Sequence, residues 1–337
     1  MKKLLVLIIL VTSCSHAIEI IQHYTLAQTE AGKKVIILTT NYGQNWLAKM
    51  HQDAIRYFLD YASIQGAELL IEGMSSIAKQ SKNNSDTGLP LTESLILLAK
   101  KTRQINKLYI STPDCRTEYD AKVLLSFFPI FQLLEMGAPS LTAEMYNDLQ
   151  QFYASNDSAM SIKEYLEHLE NLRAVIVSKK ERLGAALISD FLKNFDTTMS
   201  SLDDFLHTKI DDFSMSMSSF AIHLYKNKVS LKDISIVISL LTAPSLFAAQ
   251  ASFLSAIKES EETMDPTIVI ITYPIAKQVI QHLEDIGFKS LLSVELVGTW
   301  GALDLWRLIN LLYQSLGTKA QLEEQQSFLE QLKKIAA

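Results

Sequence analysis

A chain of 337 residues is long enough to bury a large core, as one large domain or two ordinary ones. Its 48% hydrophobic and 20% charged residues are those of a soluble globular protein, which excludes a disordered one. A net charge of −6 with scattered Lys and Arg argues against nucleic acid as a partner, because neutralising phosphates takes a basic face. The seven histidines form no H-x-x-x-H pair and no C-x-x-C occurs, so spacing predicts no metal site.

The chain opens on Lys2-Lys3 and an apolar run of eight residues, Leu4–Val11. That run is too short to span a bilayer and suits the h-region of a signal peptide. Two cleavage sites are open. Ser15-His16-Ala17 resembles an A-x-A site and makes residues 1–17 the signal. Val11-Thr12-Ser13-Cys14 resembles a bacterial lipobox, with residues 1–13 as the signal and Cys14 as a lipidated terminus. The expectation is an exported protein, periplasmic or secreted, or one anchored to a membrane through Cys14 alone. Cys115 is then the remaining thiol, so the core must hold the fold without an internal disulfide.

Ile18–Tyr24 is apolar and β-branched and reads as a first, edge strand. Ala31-Gly32 turns the chain into Val35-Ile36-Ile37-Leu38, a continuous apolar run that fits a strand covered on both faces. A helix follows the polar turn Thr39–Gly43, with Leu47, Met50, Ala54, Tyr57, Phe58 and Tyr61 at helical spacing. Leu69-Leu70-Ile71 is the next strand and ends in Glu72-Gly73. A polar loop over Ser75–Gly88, a helix over Leu91–Arg103 and a strand over Lys107–Ser111 complete a β-(β-α-β-α-β) alternation.

From Glu118 to about Met264 the periodicity turns helical, and five to seven helices are predicted. Ser161-x-x-Glu164 and Ser230-x-x-Asp233 read as capping boxes, and Asp203-Asp204 and Asp211-Asp212 as acidic helix-opening turns. Pro129 and Pro244 read as kinks or breaks, and Met215, Met217 and Phe220 as core. The β/α pattern returns with a strand at Thr267–Ile271, a helix at Ile275–Ile286 closed by Gly287, and a strand at Ser290–Val294. Helices at Leu303–Leu316 and Gln321–Ile335 finish the chain. The predicted fold is α/β, a mainly parallel sheet with flanking helices. Residues 18–117 and 266–337 form its two halves, around a large α-helical insertion at 118–265.

A parallel sheet binds ligands at the carboxyl ends of its strands. This chain puts Asn41 and Tyr42, Glu72, Asp114 and Arg116, Tyr273 and Glu295 there. Glu72 and Asp114 are candidate catalytic carboxylates, with His51 of the first helix as a candidate base. Asn41, Tyr42, Glu72, Arg116 and Tyr273 are candidate ligand contacts. The competing reading is that Glu72 caps a helix start while Asp114 and Arg116 pair within a loop.

The order of strand–turn–helix, a strand ending in Ile71-Glu72-Gly73, a helical insertion and a late strand–turn–helix with Gly287-Phe288 resembles a known group. That group contains the erythromycin esterases, ChaN-type haem-binding lipoproteins and TraB/Tiki-type proteins. Val279–Phe288 carries the likeness best, and His51-Gln52 is similar to the His and Gln after the first turn of ChaN-like members. The group ends its first strand in a Gly-x-x-His turn, follows its second strand with a carboxylate and ends its late strand in a second His turn. Here the turns read Thr39-Thr40-Asn41-Tyr42 and Ile270-Ile271-Thr272-Tyr273, and Glu72 takes the carboxylate position.

The resemblance implies a site on the strand rim and, within the group, esterase or metallopeptidase chemistry or a bound haem. Tyrosine at both histidine positions removes the groups that exchange protons near neutral pH or ligate a metal, since a phenol titrates near about pH 10. The expectation is a non-catalytic pseudo-enzyme that binds a small-molecule ligand or a protein partner at the rim. No cofactor is expected from the residues, and haem or a metal ion enters by family analogy only. A tyrosine pair still suits ferric haem, or stacking on a sugar or aromatic ligand. The alternative is a hydrolase with a rearranged site built from Glu72, Asp114 and His51.

Overall fold

The computed structural model describes residues 21–40, 67–72, 109–111, 118–138, 140–155, 160–263 and 265–297. They form a mixed α/β protein whose chain divides into two compact units, one holding every described strand and the other the helices as far as Ser255.

In the sheet unit, β1 (Ile21–Gln28), β2 (Lys34–Thr40), β3 (Glu68–Ile71), β4 (Tyr109–Ser111), β5 (Thr267–Thr272) and β6 (Lys289–Val297) make one sheet in the order β4-β3-β5-β2-β1-β6. The sheet is mixed. β4, β3, β5 and β2 run parallel, whereas β1 is antiparallel to both of its neighbours, β2 and β6. Val35–Leu38, Leu69–Ile71 and Ile268–Ile271 are buried throughout, which is why these runs show no polar alternation.

One expectation changes. β1 is not an edge strand: it pairs on both sides, and its Thr25 and Ala27 are fully buried. A turn across Thr29–Lys33 holds it against β2, with Gly32 at φ +93°, a left-handed conformation that glycine adopts without strain. Nor do β2 and β3 neighbour each other, because β5 lies between them. A β/α alternation sets strand direction but not adjacency, and the wholly apolar late strand takes the central place.

In the helical unit, α1 (Glu118–Glu135), α2 (Ala143–Ser155), α3 (Ile162–Ser178), the one-turn α4 (Lys180–Leu183), α5 (Ala185–Lys209), α6 (Met217–Lys226) and α7 (Leu231–Glu259) follow in turn. α1 packs on α6, and α3 packs on α5. Met217 and Phe220 are fully buried, the latter edge-on to Phe127. Both capping boxes form, Ser161 with Glu164 and Ser230 with Asp233, each backbone N–H meeting the other residue's side chain. Asp203-Asp204 opens no helix; it lies inside α5, whose buried stripe of Leu187, Phe191, Phe195, Leu202 and Leu206 runs on past it. Asp212 holds the turn before α6 by accepting from Ser214 N–H, and Ser216 is the helix's N-cap.

Pro129 and Pro244 break neither helix, since α1 and α7 run through them. Each helix is met by a buried tyrosine hydroxyl that donates to the carbonyl three residues before the proline. Tyr153 donates to Ser126 at 2.8 Å and Tyr165 to Leu241 at 2.6 Å. Proline removes a helical donor and crowds the carbonyls of the preceding turn, so donors from neighbouring helices satisfy polar groups there.

After β5 the chain enters α8 (Tyr273–Gln281), which packs on β1, β2 and β5 with Ile275, Ala276 and Val279 fully buried. Pro274 in its first turn costs no helical hydrogen bond. α8 is shorter than predicted: Glu284–Ile286 forms a separate 3-10 turn, stopped by Gly287 at φ +93°.

Candidate functional site

The carboxyl ends of β2, β3 and β5 stand level. Thr39 pairs with Ile271 and Thr40 with Thr272, while Ile71 pairs with Ile270, so Glu72 is the next residue beyond that pairing. Glu72 is 2% exposed and Thr39 1%. The backbone N–H of Glu72 donates to Ile270 O at 2.9 Å, continuing the ladder past the end of β3. Its carboxylate Oε2 accepts from the backbone N–H of Thr272 at 2.5 Å, across 200 residues of sequence.

Thr272 is the N-cap residue of α8, and its own side chain makes no cap hydrogen bond. Glu72 therefore delivers from β3 a carboxylate to the first turn of a helix that follows β5. A helix N-terminus carries unsatisfied N–H groups and a partial positive charge, so a buried carboxylate is stable there. An ionised carboxylate bound to a backbone donor is a positioning group; proton transfer requires reach to a substrate atom instead.

Tyr273 opens α8 directly above this contact in the chain. Glu295 lies in β6 opposite His23, one residue beyond the Tyr24–Leu38 pair, which puts it at the same end of the sheet. Asn41, Tyr42, His51, Asp114, Arg116 and Cys14 lie outside the described residues, as do Cys115 and the helices expected at Leu303–Leu316 and Gln321–Ile335.

The opposite end of the same strands holds a second buried charge that sequence reasoning missed. Lys33, in the turn between β1 and β2, is 1% exposed. Its Nζ donates to Thr263 Oγ1 at 3.1 Å and to the carbonyl of Asp265. Burial holds the Lys33 ammonium below its usual pKa, opposed by the nearby charges of Glu68, Asp265 and Glu261. Burial likewise raises the pKa of Glu68 at the start of β3, opposed by Lys33 and assisted by Glu259. A lysine immediately before a wholly apolar strand was the available signal.

The helical unit has its own buried polar cluster. The Tyr165 hydroxyl, bonded to Leu241 O, also lies 3.1 Å from Asp120 Oδ1, and both residues are buried. His168 stacks on Tyr119 with ring centroids 4.5 Å apart and planes 10° from parallel. Burial lowers the pKa of His168, with Asp120 opposing. Burial raises that of Tyr165, with Asp120 adding to it. His168 belongs to the buried stripe of α3 with Tyr165, Leu169, Leu172 and Ile176. Only its place on that stripe marked it in the sequence.

Comparison with models of protein families, with curated proteins and with solved structures finds no match to this chain.

Among the described residues no group of three His, Cys, Asp or Glu side chains gathers to hold a metal ion. The described part of the rim holds two acidic residues, Glu72 and Glu295, and the Glu72 carboxylate is bonded to a backbone donor. Glu72 alone does not make a closed zinc or calcium site, which several protein ligands must complete.

Proposed function

We propose that this is an exported, non-catalytic α/β protein that binds a small-molecule ligand or a protein partner over its strand rim. In this reading it is a pseudo-enzyme of the erythromycin esterase, ChaN and TraB/Tiki type. The parallel block β4-β3-β5-β2 corresponds to that group's mainly parallel sheet, and the helical region to an insertion. The observation that supports it is the Glu72–Thr272 contact. Of the two candidate catalytic carboxylates, Glu72 lies within the described residues and caps α8, and a carboxylate held in that way serves the scaffold rather than proton transfer.

Purified protein is expected to leave p-nitrophenyl acetate at the buffer rate, with no change in Glu72→Gln. Turnover abolished by Glu72→Gln would overturn the proposal and install the alternative, a hydrolase using Glu72 with Asp114 and His51. Titration with haemin tests the haem analogy, which a missing Soret shift removes. The mass of the mature chain tests export. Loss of residues 1–17, or a lipid on Cys14, is the expected result, and an unprocessed chain from an exporting host would refute it.

A further inference from the structure

Between α2 and the start of α6, wholly within the helical unit, lies an open pocket of about 330 Å³. That volume falls in the range of sites that hold small molecules, about 300–1,000 Å³. From α2 come Tyr146, Gln150 and Tyr153, which share one helix face at i, i+4 and i+7, and from the α6 side come Ser216, Ser219 and Ile222. None of the lining residues is charged.

The chemistry of the wall selects its ligand. The Tyr153 hydroxyl is held by Ser126 O, so this residue offers the pocket its ring rather than a titrating group. Lys226 Nζ sits over the Tyr146 ring, 5.0 Å from its centroid, which fixes a second aromatic surface at the pocket wall. Three N-terminal donors of α6 are already used: Met217 N–H bonds Met160 O, Ser219 N–H bonds the Ser216 hydroxyl, and Phe220 N–H bonds Ser216 O. The lining itself thus carries no cation, the neighbouring Lys226 ammonium is engaged on the Tyr146 ring, and those helix donors are taken. What faces a ligand is one amide, a bonded row of hydroxyls in which Ser216 donates to Ser219 and Ser218 meets Ser126, and flat aromatic carbon, all of them neutral groups beside an apolar face. A ring bearing many neutral hydroxyls matches that set, since each of its oxygens also donates and accepts while its C–H face packs on an aromatic.

We propose that this pocket binds a neutral saccharide unit of pyranose size. The site is separate from the strand rim and does not rest on the reading of Glu72. The test is saturation-transfer NMR on the full-length protein with methyl α-glucopyranoside and N-acetylglucosamine, and with inorganic phosphate as competitor. Saturation should pass to the pyranose ring protons of at least one sugar and survive phosphate. Gln150→Ala and Tyr146→Ala should each weaken binding roughly tenfold, the loss expected for one good polar or stacking contact. Gln150 and Ser219 are exposed, so Gln150→Ala and Ser219→Ala test the pocket without disturbing the core. Glu72→Gln should leave sugar binding unchanged. No transfer to either sugar, transfer indifferent to all the pocket substitutions, or displacement by phosphate would overturn the proposal.

Discussion

The two ends of the parallel block each bury a charged side chain, and they satisfy it in different ways. At the amino end, Lys33 donates to a side-chain hydroxyl and a backbone carbonyl, among the carboxylates of Glu68, Asp265 and Glu261. At the carboxyl end, Glu72 accepts from the backbone N–H at the start of α8. The first is a charge among part-exposed charges, where removing the ammonium leaves Glu68 with the like charge of Glu259 and without the opposite charge of Lys33. The second is a charge on a backbone dipole, where a neutral oxygen in the same place serves nearly as well. The strand ends that a parallel sheet reserves for ligands thus begin, in this protein, with a structural cap.

The contrast is most exposed at Lys33. Lys33→Ala should cost about 2–4 kcal/mol in urea unfolding, because it removes two charge-assisted hydrogen bonds and the opposite charge near Glu68. A loss below about 1 kcal/mol would show the ammonium to be a solvated surface group. Glu72→Ala should cost less, about 1–3 kcal/mol, the penalty of a buried N–H left unpaired. Glu72→Gln, which keeps an acceptor oxygen, should recover most of that loss. If Gln and Ala prove equally damaging, the negative charge itself is what α8 requires, and the two ends are more alike than the structure implies.

His168 in the helical unit supplies a third case, a titrating group packed against Tyr119 and Tyr165 and facing the carboxylate of Asp120. Its folded pKa lies below the ordinary 6.5, so the unfolded chain takes up the proton first. Its contribution is in place above pH about 6.5 and is lost as the pH falls from there towards the folded value. Between pH 7.5 and 5.5 the wild type should lose up to about 1 kcal/mol that His168→Gln does not lose. Equal losses in both proteins would place the titration elsewhere. The smallest effect belongs to the bidentate pair of Arg173 and Asp196, both about half exposed. Arg173→Ala should cost less than about 1 kcal/mol, and less again in high salt.

Local chemistry was legible wherever a short stretch carries its own reason. The apolar runs Val35–Leu38, Leu69–Ile71 and Ile268–Ile271 read as strands because strands covered on both faces need no polar alternation. Ser161/Glu164 and Ser230/Asp233 read as helix starts because a capping box is complete within four residues. Asp203-Asp204 misled because an acidic pair suits the outer face of a long helix as well as a helix start. The break reading of Pro129 and Pro244 misled because the donors that meet the carbonyls beside them, Tyr153 and Tyr165, come from other helices.

By itself the sequence determined the strands' apolar runs, the helix caps and the mixed α/β texture, all of which follow from neighbours a few residues apart. Only the tertiary structure decided which strands touch and where each buried charge finds its partner. β5 enters between β2 and β3, β1 becomes an interior strand, Lys33 reaches Thr263 and Asp265, and Glu72 reaches Thr272. Those choices join residues about 200 positions apart, where no periodicity or cap extends. They are settled by which long-range pairing buries the most apolar strand while leaving no charge without a partner.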